Sequence, residues 1–367
     1  MDLLHCSRLQ NPISKLLQPH TRFTVHSTSS SLCLRRFSVR SSLPSPAQNA
    51  KYNRELSAAV DSVERACRLC VDVKRSLFTS DGKILEKNDQ TPVTIADFGV
   101  QALISLELGK LFPSIPLVAE EDSAFLRSNN LVDSVVNVVI DKSSSKDKEL
   151  TETNVLEAID RGGTFGPNPA TYWILDPIDG TRGFLKGNES LYVVGLALVV
   201  EGQIVLGVMG CPNWKDNKSD NDKYTPGSGI IMVAHIGCGT WSKALSGVAL
   251  NCSSINVDNI GNNEVLLLPT CCGSLCKYLM VASGRASVFI QRARAERVIK
   301  VWDHAVGVIC VQEAGGKVTD WNGDELDLAE DEVERKAIFP PGGILVSNSG
   351  LHEEILEIIA SNSAIIS

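Results

Sequence analysis

The stretch Trp173–Phe184 constrains the fold of this chain most strongly, and it reads Trp-Ile-Leu-Asp-Pro-Ile-Asp-Gly-Thr-Arg-Gly-Phe. The apolar run at 172–175 predicts a short buried strand, and Pro177 predicts its end because proline cannot donate to a sheet ladder. Asp176 and Asp179 would then lie close together on a tight turn. Two such carboxylates repel each other unless a cation lies between them, and hard oxygen ligands suit Mg²⁺. The alternative is an ordinary turn, because Asp-Pro and Asp-Gly are common turn dipeptides.

Composition narrows the function classes. With 367 residues, 43% of them hydrophobic, the chain can bury a large core, and its length suits one large or two packed domains. No apolar run approaches the roughly 20 residues that span a membrane. The formal net charge is -8 without a dense basic patch, which argues against nucleic-acid binding. We therefore expect neither nucleic acid nor a membrane as a partner, and the sequence shows no sign of an obligate protein partner.

The 11 cysteines are scattered without a regular framework, which predicts free thiols in a reducing compartment. Cys271, Cys272 and Cys276 cluster, but no second Cys/His pair with zinc spacing accompanies them. We interpret these three as small buried apolar residues, with a metal or disulfide role as the alternative.

Residues 1–45 have the composition of a targeting segment. Asp2 is the only acid before Glu55, whereas arginines accumulate among many serines. This pattern predicts a transit peptide rather than a secretory signal. The arginines favour a mitochondrion, the serines keep a chloroplast open, and a disordered basic tail is the remaining alternative. The rest of the chain divides near His235, where its second half opens.

Helical and strand patterns bring further acids towards the central motif. Helical spacing of apolar residues predicts a helix from Glu55 to Phe78 and a second one that follows the segment 91–97. Asp97 falls at the start of this second helix, where a carboxylate can also serve merely as a cap. The predicted strand at 115–119 delivers Glu120-Glu-Asp at its end. Three acids in a row are usually a solvated loop, but acids that end a buried strand more often form a site.

The rest of the chain alternates between strands, loops and helices. The runs 191–200 and 203–209 predict a β-hairpin. Other predicted elements are polar loops at 141–154 and 216–228, strands at 230–234, 265–268 and 286–290, and a short helix at 275–282. The segment Val301–Gly316 is apolar nearly all round and predicts a buried helix with Asp303 at its N-terminus. We interpret His304 as a packed histidine and not as a metal ligand.

Three acidic motifs follow one another along the chain. They are Glu120, Asp176-Pro-Ile-Asp-Gly-Thr181, and Trp302-Asp303 with Glu313-Ala-Gly-Gly316 further on. Together they resemble the inositol monophosphatase superfamily of Mg²⁺-dependent, lithium-sensitive phosphatases. Within it, Gly183-Phe-Leu-Lys-Gly187 and Gly207-Val-Met-Gly-Cys-Pro212 are similar to the 3'(2'),5'-bisphosphate nucleotidase branch. The resemblance implies an αβαβα layered sandwich of two packed subdomains. The N-terminal α+β part at 46–234 would carry most metal ligands, and the C-terminal α/β part at 235–367 would complete the metal site and the substrate pocket.

The resemblance also implies a role for each site residue. The implied ligands of two or three Mg²⁺ ions are Glu120, Asp176, Asp179, Asp303 and the backbone carbonyl of Ile178. The implied catalytic residues, which hold a further metal or orient the attacking water, are Asp97 and Thr181. The implied substrate-binding residues are Gly180, Thr181, Ser274, Lys277 and Asp303. Because the aspartates are committed to metal, we expect no covalent phosphoenzyme.

The reaction implied by the resemblance is removal of the 3'-phosphate of adenosine 3',5'-bisphosphate (PAP), which places the chain in sulfur metabolism. A second candidate substrate is 3'-phosphoadenylyl sulfate (PAPS). Residues 249–255 depart from the branch, because they lack its Ser/His- or Ser/Arg-rich pattern near the nucleotide. Two alternatives follow: a phosphatase for inositol mono- or polyphosphates, and a catalytically silent regulatory protein that binds metal or nucleotide. Retention of every acid in the motifs disfavours the second alternative.

Overall fold

The structure is a computed structural model that describes residues 51–79, 85–86, 92–142, 150–163, 170–186, 190–215, 229–245, 273–328 and 334–361. The helices of these ranges are α1 (Asn53–Thr79), α2 (Ile95–Leu111), α3 (Ser123–Ser128), α4 (Val132–Lys142), α5 (Glu152–Asp160), α6 (Thr181–Leu185), α7 (Ser274–Ala282), α8 (Ala305–Glu313) and α9 (His352–Ser361). None of the described helices combines the length and apolarity needed to cross a membrane.

The strands are β1 (Leu85–Glu86), β2 (Pro92–Val93), β3 (Leu117–Ala119), β4 (Thr171–Asp179), β5 (Val193–Val200), β6 (Gln203–Cys211), β7 (Ile230–His235), β8 (Gly239–Ala244), β9 (Val288–Arg292), β10 (Ile299–Lys300), β11 (Gly316–Asp320), β12 (Ala337–Ile338) and β13 (Gly343–Asn348). The predicted targeting segment, the loop at 216–228, the segment 249–255, the strand at 265–268, and Cys271 and Cys272 lie outside the described residues.

A six-stranded sheet in the order β3-β4-β5-β6-β7-β8 forms the centre of the molecule. Along each strand, successive side chains point to opposite faces of the sheet and so belong alternately to two hydrophobic cores. In β4, Trp173 and Leu175 belong to the core shared with α1 and α2, whereas Tyr172 and Ile174 belong to the core shared with α7 and α8. The sheet is therefore buried on both faces.

The layers beyond this sheet complete the expected sandwich. Helix α8 packs between the six-stranded sheet and a three-stranded sheet in the order β11-β13-β9, and α9 packs on β13. The order is thus α1/α2, large sheet, α7/α8, small sheet, α9. The predicted αβαβα layered fold is confirmed.

The central strand extends further than its sequence predicts. β4 continues through Pro177 to Asp179, and its register against β5 shifts between Asp176, which faces Gly195, and Asp179, which faces Val193. This irregularity accommodates a residue that has no N–H to donate. The expected end of the strand at Asp176-Pro177 is wrong, and both acids remain attached to the sheet.

Other element predictions fare unevenly. The helices α1 and α2 and the β5–β6 hairpin are confirmed, whereas α3, α4 and α5 were not expected. The predicted polar loop at 141–154 is wrong at both ends: α4 continues to Lys142, and α5 begins at Glu152 behind a capping box made by Thr151 and Asn154. Short polar side chains near residue 150 therefore start a helix.

The proposed subdomain boundary at 234/235 falls within β7. Because β8 pairs with β7 in the same sheet, the large sheet continues across this boundary. The large sheet therefore contains strands from both proposed subdomains. The division of the chain at 46–234 and 235–367 remains a prediction.

Candidate active site

Three carboxylates meet at the end of the central strand. Asp176 and Asp179 come from the irregular end of β4, and Asp303 comes from the turn before α8. One oxygen of each lies within 4.8 Å of the others. Asp176 and Asp179 are buried, and Asp303 is partly exposed. Among the described residues, the fold brings together the acids that the motifs singled out.

The electrostatics of this cluster favour protonation in the absence of a cation. Burial raises the pKa of Asp176 well above its usual value, and the charges of Asp179 and Glu120 raise it further. Burial and the charge of Asp303 likewise raise the pKa of Asp179. Burial, followed by the charge of Glu120, raises the pKa of Asp303 to about 7. Buried like charges behave in this way when no counter-charge is present.

The donor set fits a hard divalent cation. Asp176 Oδ1 is buried and accepts no hydrogen bond from the described residues. Such an orphaned acceptor is costly in an interior unless an ion or water satisfies it. All three side chains offer carboxylate oxygens, the ligands that Mg²⁺ prefers. A metal that keeps these groups deprotonated would remove the repulsion that their raised pKa values report.

Glu120 reaches the same edge of the sheet from the neighbouring strand. β3 and β4 are parallel, with Ala119 opposite Leu175, so both strands end on the same side. The charge of Glu120 raises the pKa of both Asp176 and Asp303. Glu120 thus lies at the same edge of the sheet as the two aspartates, and its role as a metal ligand stays a prediction.

The three consecutive acids after β3 have three different surroundings. Glu120 is partly exposed at the site, and Glu121 is buried. Asp122 is the N-cap of α3, where its Oδ1 accepts the N–H of Ala124 at 2.9 Å. The sequence leaves a solvated loop and a site as alternatives for all three acids, and the turn into α3 gives each acid its own surroundings.

Asp97 both caps a helix and faces the site. Its Oδ2 accepts the backbone N–H and the hydroxyl of Thr94, each at 2.8 Å, which completes a capping box at the start of α2. Its Oδ1 lies 3.3 Å from Thr181 Oγ1. The capping role and the site role, which the sequence leaves as alternatives, coexist on different oxygens of one carboxylate.

Thr181 links this carboxylate to the central motif. Its hydroxyl also lies 3.1 Å from the backbone oxygen of Ile178. Between them, Gly180 adopts φ 85°, a left-handed conformation that favours glycine, and the chain enters the short helix α6. The sharp turn thus places the Thr181 hydroxyl beside Asp97.

Asp179 contacts a second element of the C-terminal part. It accepts the backbone N–H groups of Ser274 (3.1 Å) and Leu275 (2.6 Å), the first residues of α7. A Cβ at Gly273 would overlap the Asp179 carboxylate, so this close approach requires glycine. Sequence reasoning missed Gly273, because a glycine beside two cysteines gives no signal of a carboxylate from another strand.

The two predicted substrate residues of α7 lie next to this contact. Lys277 is buried, its Nζ lies 5.1 Å from the centroid of the Phe289 ring, and its charge lowers the pKa of Asp179 against the effect of burial. Ser274 begins the helix. Both therefore lie near the acids, as the resemblance implies, and their contact with a substrate remains a prediction.

The last helix of the motif set differs in detail from its prediction. α8 begins at Ala305, and Asp303 lies in the preceding turn without serving as its cap. The N-cap residue is His304, which makes no side-chain cap bond and is fully buried. Its Nδ1 lies 3.0 Å from the Tyr278 hydroxyl. The interpretation of His304 as a packed histidine is confirmed.

Comparison with known proteins agrees with this site. The family model described as "Inositol monophosphatase family" matches residues 52–364. An Arabidopsis thaliana protein, provisionally named a mitochondrial 3'(2'),5'-bisphosphate nucleotidase, is 60% identical over 91% of this chain and 93% of its own length. A 3'(2'),5'-bisphosphate nucleotidase of Oryza sativa is 33% identical over 86% of this chain and 96% of its own.

A solved structure supports the fold. The Thermotoga maritima IMPase covers 86% of this chain and 100% of its own, with a TM-score of 0.53 and 21% identity.

Proposed function

Because this chain belongs to the inositol monophosphatase family, we propose that it is a metal-dependent phosphatase that removes the 3'-phosphate of PAP to give AMP. Two nucleotidases, from Arabidopsis thaliana and Oryza sativa, match this chain over most of its length and support the choice of substrate. The single observation that carries the chemistry is the cluster of Asp176, Asp179 and Asp303, three carboxylates within 4.8 Å that need a counter-charge.

The ligands of two or three Mg²⁺ ions are, in this proposal, Glu120, Asp176, Asp179, Asp303 and the carbonyl of Ile178. Bound ions supply charge relief at the phosphate oxygens and a more acidic water. The acids come from β3, β4 and the turn before α8. Elements from both parts of the chain thus converge on one centre.

Asp97 and Thr181 orient the water that attacks phosphorus. Thr94 saturates Asp97 Oδ2, so Oδ1 is the oxygen directed at the Thr181 hydroxyl. The hydroxyl proton is directed at Asp97 Oδ1 or Ile178 O, which leaves the oxygen of Thr181 as an acceptor for a water proton. The water oxygen forms the new P–O bond, the bond to O3' breaks, and a proton passes to O3', so AMP and inorganic phosphate leave.

The substrate side is proposed to lie at α7. Lys277 offers a buried positive charge beside Asp179, which suits a second phosphate. Ser274 at the start of α7, and the backbone N–H groups of Gly180 and Thr181 at the turn, are proposed to contact the substrate. PAPS fits the same requirement, since it also carries a phosphorylated 3'-position and a negative 5'-substituent.

We also propose import into the mitochondrion. The support is the arginine- and serine-rich composition of residues 1–45 together with the name of the Arabidopsis thaliana relative. Fusion of residues 1–45 to a fluorescent protein tests this location, and accumulation in chloroplasts would favour the alternative.

Phosphate release by the full chain in Mg²⁺ tests the function. We expect rapid release from PAP, slow release from inositol 1-phosphate, and inhibition by Li⁺. Faster release from the inositol ester would overturn the substrate and retain the metal chemistry. Binding of PAP without hydrolysis would favour the regulatory alternative.

Lys277→Met tests the substrate side separately. Adenosine 3'-monophosphate is the matched control substrate, because it keeps the reacting phosphate and lacks the 5'-phosphate. If Lys277 binds the second phosphate, KM for PAP rises and KM for the monophosphate changes little. An equal loss for both substrates would assign Lys277 to the metal centre through Asp179.

A further inference from the structure

Gln101 is a buried polar residue one helical turn after Asp97. Both lie on α2, and a separation of four residues places them on the same face of the helix. Gln101 has no solvent exposure, so its amide group must find partners inside the protein. The partners that it finds belong to the segment that carries Glu120.

The Gln101 amide binds the backbone on both sides of Glu121. Its Oε1 accepts the Glu121 N–H at 2.9 Å, and its Nε2 donates to the Glu121 carbonyl at 2.6 Å. Nε2 also donates to the carbonyl of Ile159, at the end of α5, at 2.8 Å. Both amide protons are thereby used, which fixes the orientation of the side chain.

These bonds fix the backbone from which the Glu120 side chain projects. The Glu121 N–H belongs to the peptide that follows Glu120, so holding it fixes the backbone rotation after the Glu120 Cα. On the other side, Ala119 is held by its ladder pairing with Leu175. Glu120 is therefore clamped between the β3–β4 ladder and an amide from α2, the helix that also presents Asp97.

The surroundings of the amide are shaped to admit it. A Cβ at Gly162 would lie 2.6 Å from Gln101 Nε2 and 2.8 Å from the Cβ of Ala119. Both distances are too short for non-bonded atoms, so the missing side chain at 162 leaves room for the clamp. Asp160 adds a second tie, since it accepts the N–H (2.8 Å) and hydroxyl (2.7 Å) of Ser123.

We propose that Gln101 is a positioning residue that sets the geometry of the metal ligand Glu120 relative to Asp97. This inference rests on the proposed function, because it requires Glu120 to bind a metal. Gln101 does not touch metal or substrate; it acts through the backbone of Glu121. The alternative is a tie that only stabilises the fold, and the two roles differ in their effect on metal affinity.

Gln101→Met is the decisive variant, because methionine has a similar length and cannot make these bonds. The measurement is the unfolding temperature of the full chain against Mg²⁺ concentration, which gives the concentration of half-maximal stabilisation without any turnover. Residues that orient metal ligands typically contribute about 10–100-fold in affinity, so we expect the Mg²⁺ requirement to rise by about that factor. Phosphate release at saturating Mg²⁺ should recover towards that of the unsubstituted protein.

Arg161→Met is the matched control. Its Nε donates to Ser105 Oγ at 3.1 Å, so Arg161 also ties α2 to the turn after α5, but it does not hold the Glu120 segment. We expect a lower unfolding temperature at every Mg²⁺ concentration and an unchanged half-maximal concentration. An unchanged Mg²⁺ requirement in Gln101→Met, or an equal change in both variants, would overturn the proposal.

A glycine pair decides the question if Gln101→Met does not fold. Gly162→Ala keeps every hydrogen-bonding group and pushes the amide, whereas the Cβ of Gly163→Ala would meet, among the described residues, only Lys336 Nζ at 4.0 Å. The proposal predicts a raised Mg²⁺ requirement for the first variant alone, and equal requirements contradict it. If the unsubstituted protein itself gains no stability from Mg²⁺ and hydrolyses no PAP, the proposed function fails instead.

Discussion

The two sides of the site are held in different ways. On the side of the large sheet, Asp176 is fixed by the β4–β5 ladder and Asp97 by a capping box. The backbone on this side is therefore held without any contact between the acidic side chains. On the other side, the start of α7 donates two backbone N–H groups to the Asp179 carboxylate, and an oxygen of Asp303 lies within 4.8 Å of oxygens of Asp176 and Asp179. The second side is therefore attached through the ligands themselves.

This difference predicts how far the effect of a substitution extends through the site. A substitution on the side of the large sheet should alter only the function of the substituted residue. A substitution of Asp179 or of its α7 contact should alter metal binding and substrate binding together. A carboxylate has about four lone-pair sites, so Asp179 can accept two N–H groups from α7 and still bind a metal. The same group thus links the two sides.

Asp176→Asn should give the largest effect, because it removes a ligand at the centre of the cluster. Loss of several kcal/mol of transition-state stabilisation corresponds to a fall in kcat/KM of about 10³-fold or more. In EDTA, the unfolding temperature should rise, since a buried and repelled negative charge disappears. Asp122→Asn is the control: asparagine caps a helix as well as aspartate does, so neither quantity should change. A lower unfolding temperature of Asp176→Asn in EDTA would contradict the role of repulsion.

Stability should depend on pH and metal together. The folded-state pKa of Asp176, Asp179 and Asp303 is raised, so their stabilisation is present below the usual carboxyl pKa, near 4, and is lost as pH rises through the folded values, about 7 for Asp303. Metal-free protein should therefore lose stability between these values, and Mg²⁺ should restore it at the upper end. Unfolding temperatures with Mg²⁺ and with EDTA at about pH 5.5, inside this window, and at about pH 8, above the folded pKa of Asp303, measure this. A difference that shrinks as pH rises would contradict the assignment.

The sequence predicts the identity of the ligands better than the way in which they are held. Asp176, Asp179 and Asp303 stand in long motifs, and their types alone indicate a hard cation. The bulge at Pro177 was not predictable, because a proline after an apolar run more often marks the end of a strand than a bulge within it. Gln101 and Gly273 were missed because each acts on a partner distant in sequence, Glu121 or Asp179, and local patterns do not encode such pairs.

Gly273→Ala should break the link between the two sides. The added Cβ would overlap the Asp179 carboxylate, so either α7 or Asp179 must move. A displacement of about 1 Å can cost about 10²-fold in rate, and we expect that loss together with weaker Mg²⁺ binding. The measurements are kcat/KM for PAP and the Mg²⁺ dependence of the unfolding temperature.

Ser274→Ala is the matched control for this glycine. It keeps the backbone N–H that Asp179 accepts and removes only the hydroxyl. Mg²⁺ binding should stay unchanged, and a rise in KM for PAP would support substrate contact by Ser274. Equal Mg²⁺ affinity in both variants would show that the two sides are held independently.

Thr181→Val should give the smallest effect, and this effect should be confined to the side of the large sheet. It removes the hydroxyl oxygen that accepts a proton of the attacking water. A neutral hydrogen bond of this kind contributes about 0.5–1.5 kcal/mol, so kcat should fall by up to about 10-fold. Thr181→Ser keeps the hydroxyl and should retain most activity. Because Asp97 is already fixed by Thr94, the Mg²⁺ requirement and KM should not change, which is the pattern of a group that acts in the transition state. A raised Mg²⁺ requirement in Thr181→Val would mean that the sheet side, too, depends on contacts among its site residues.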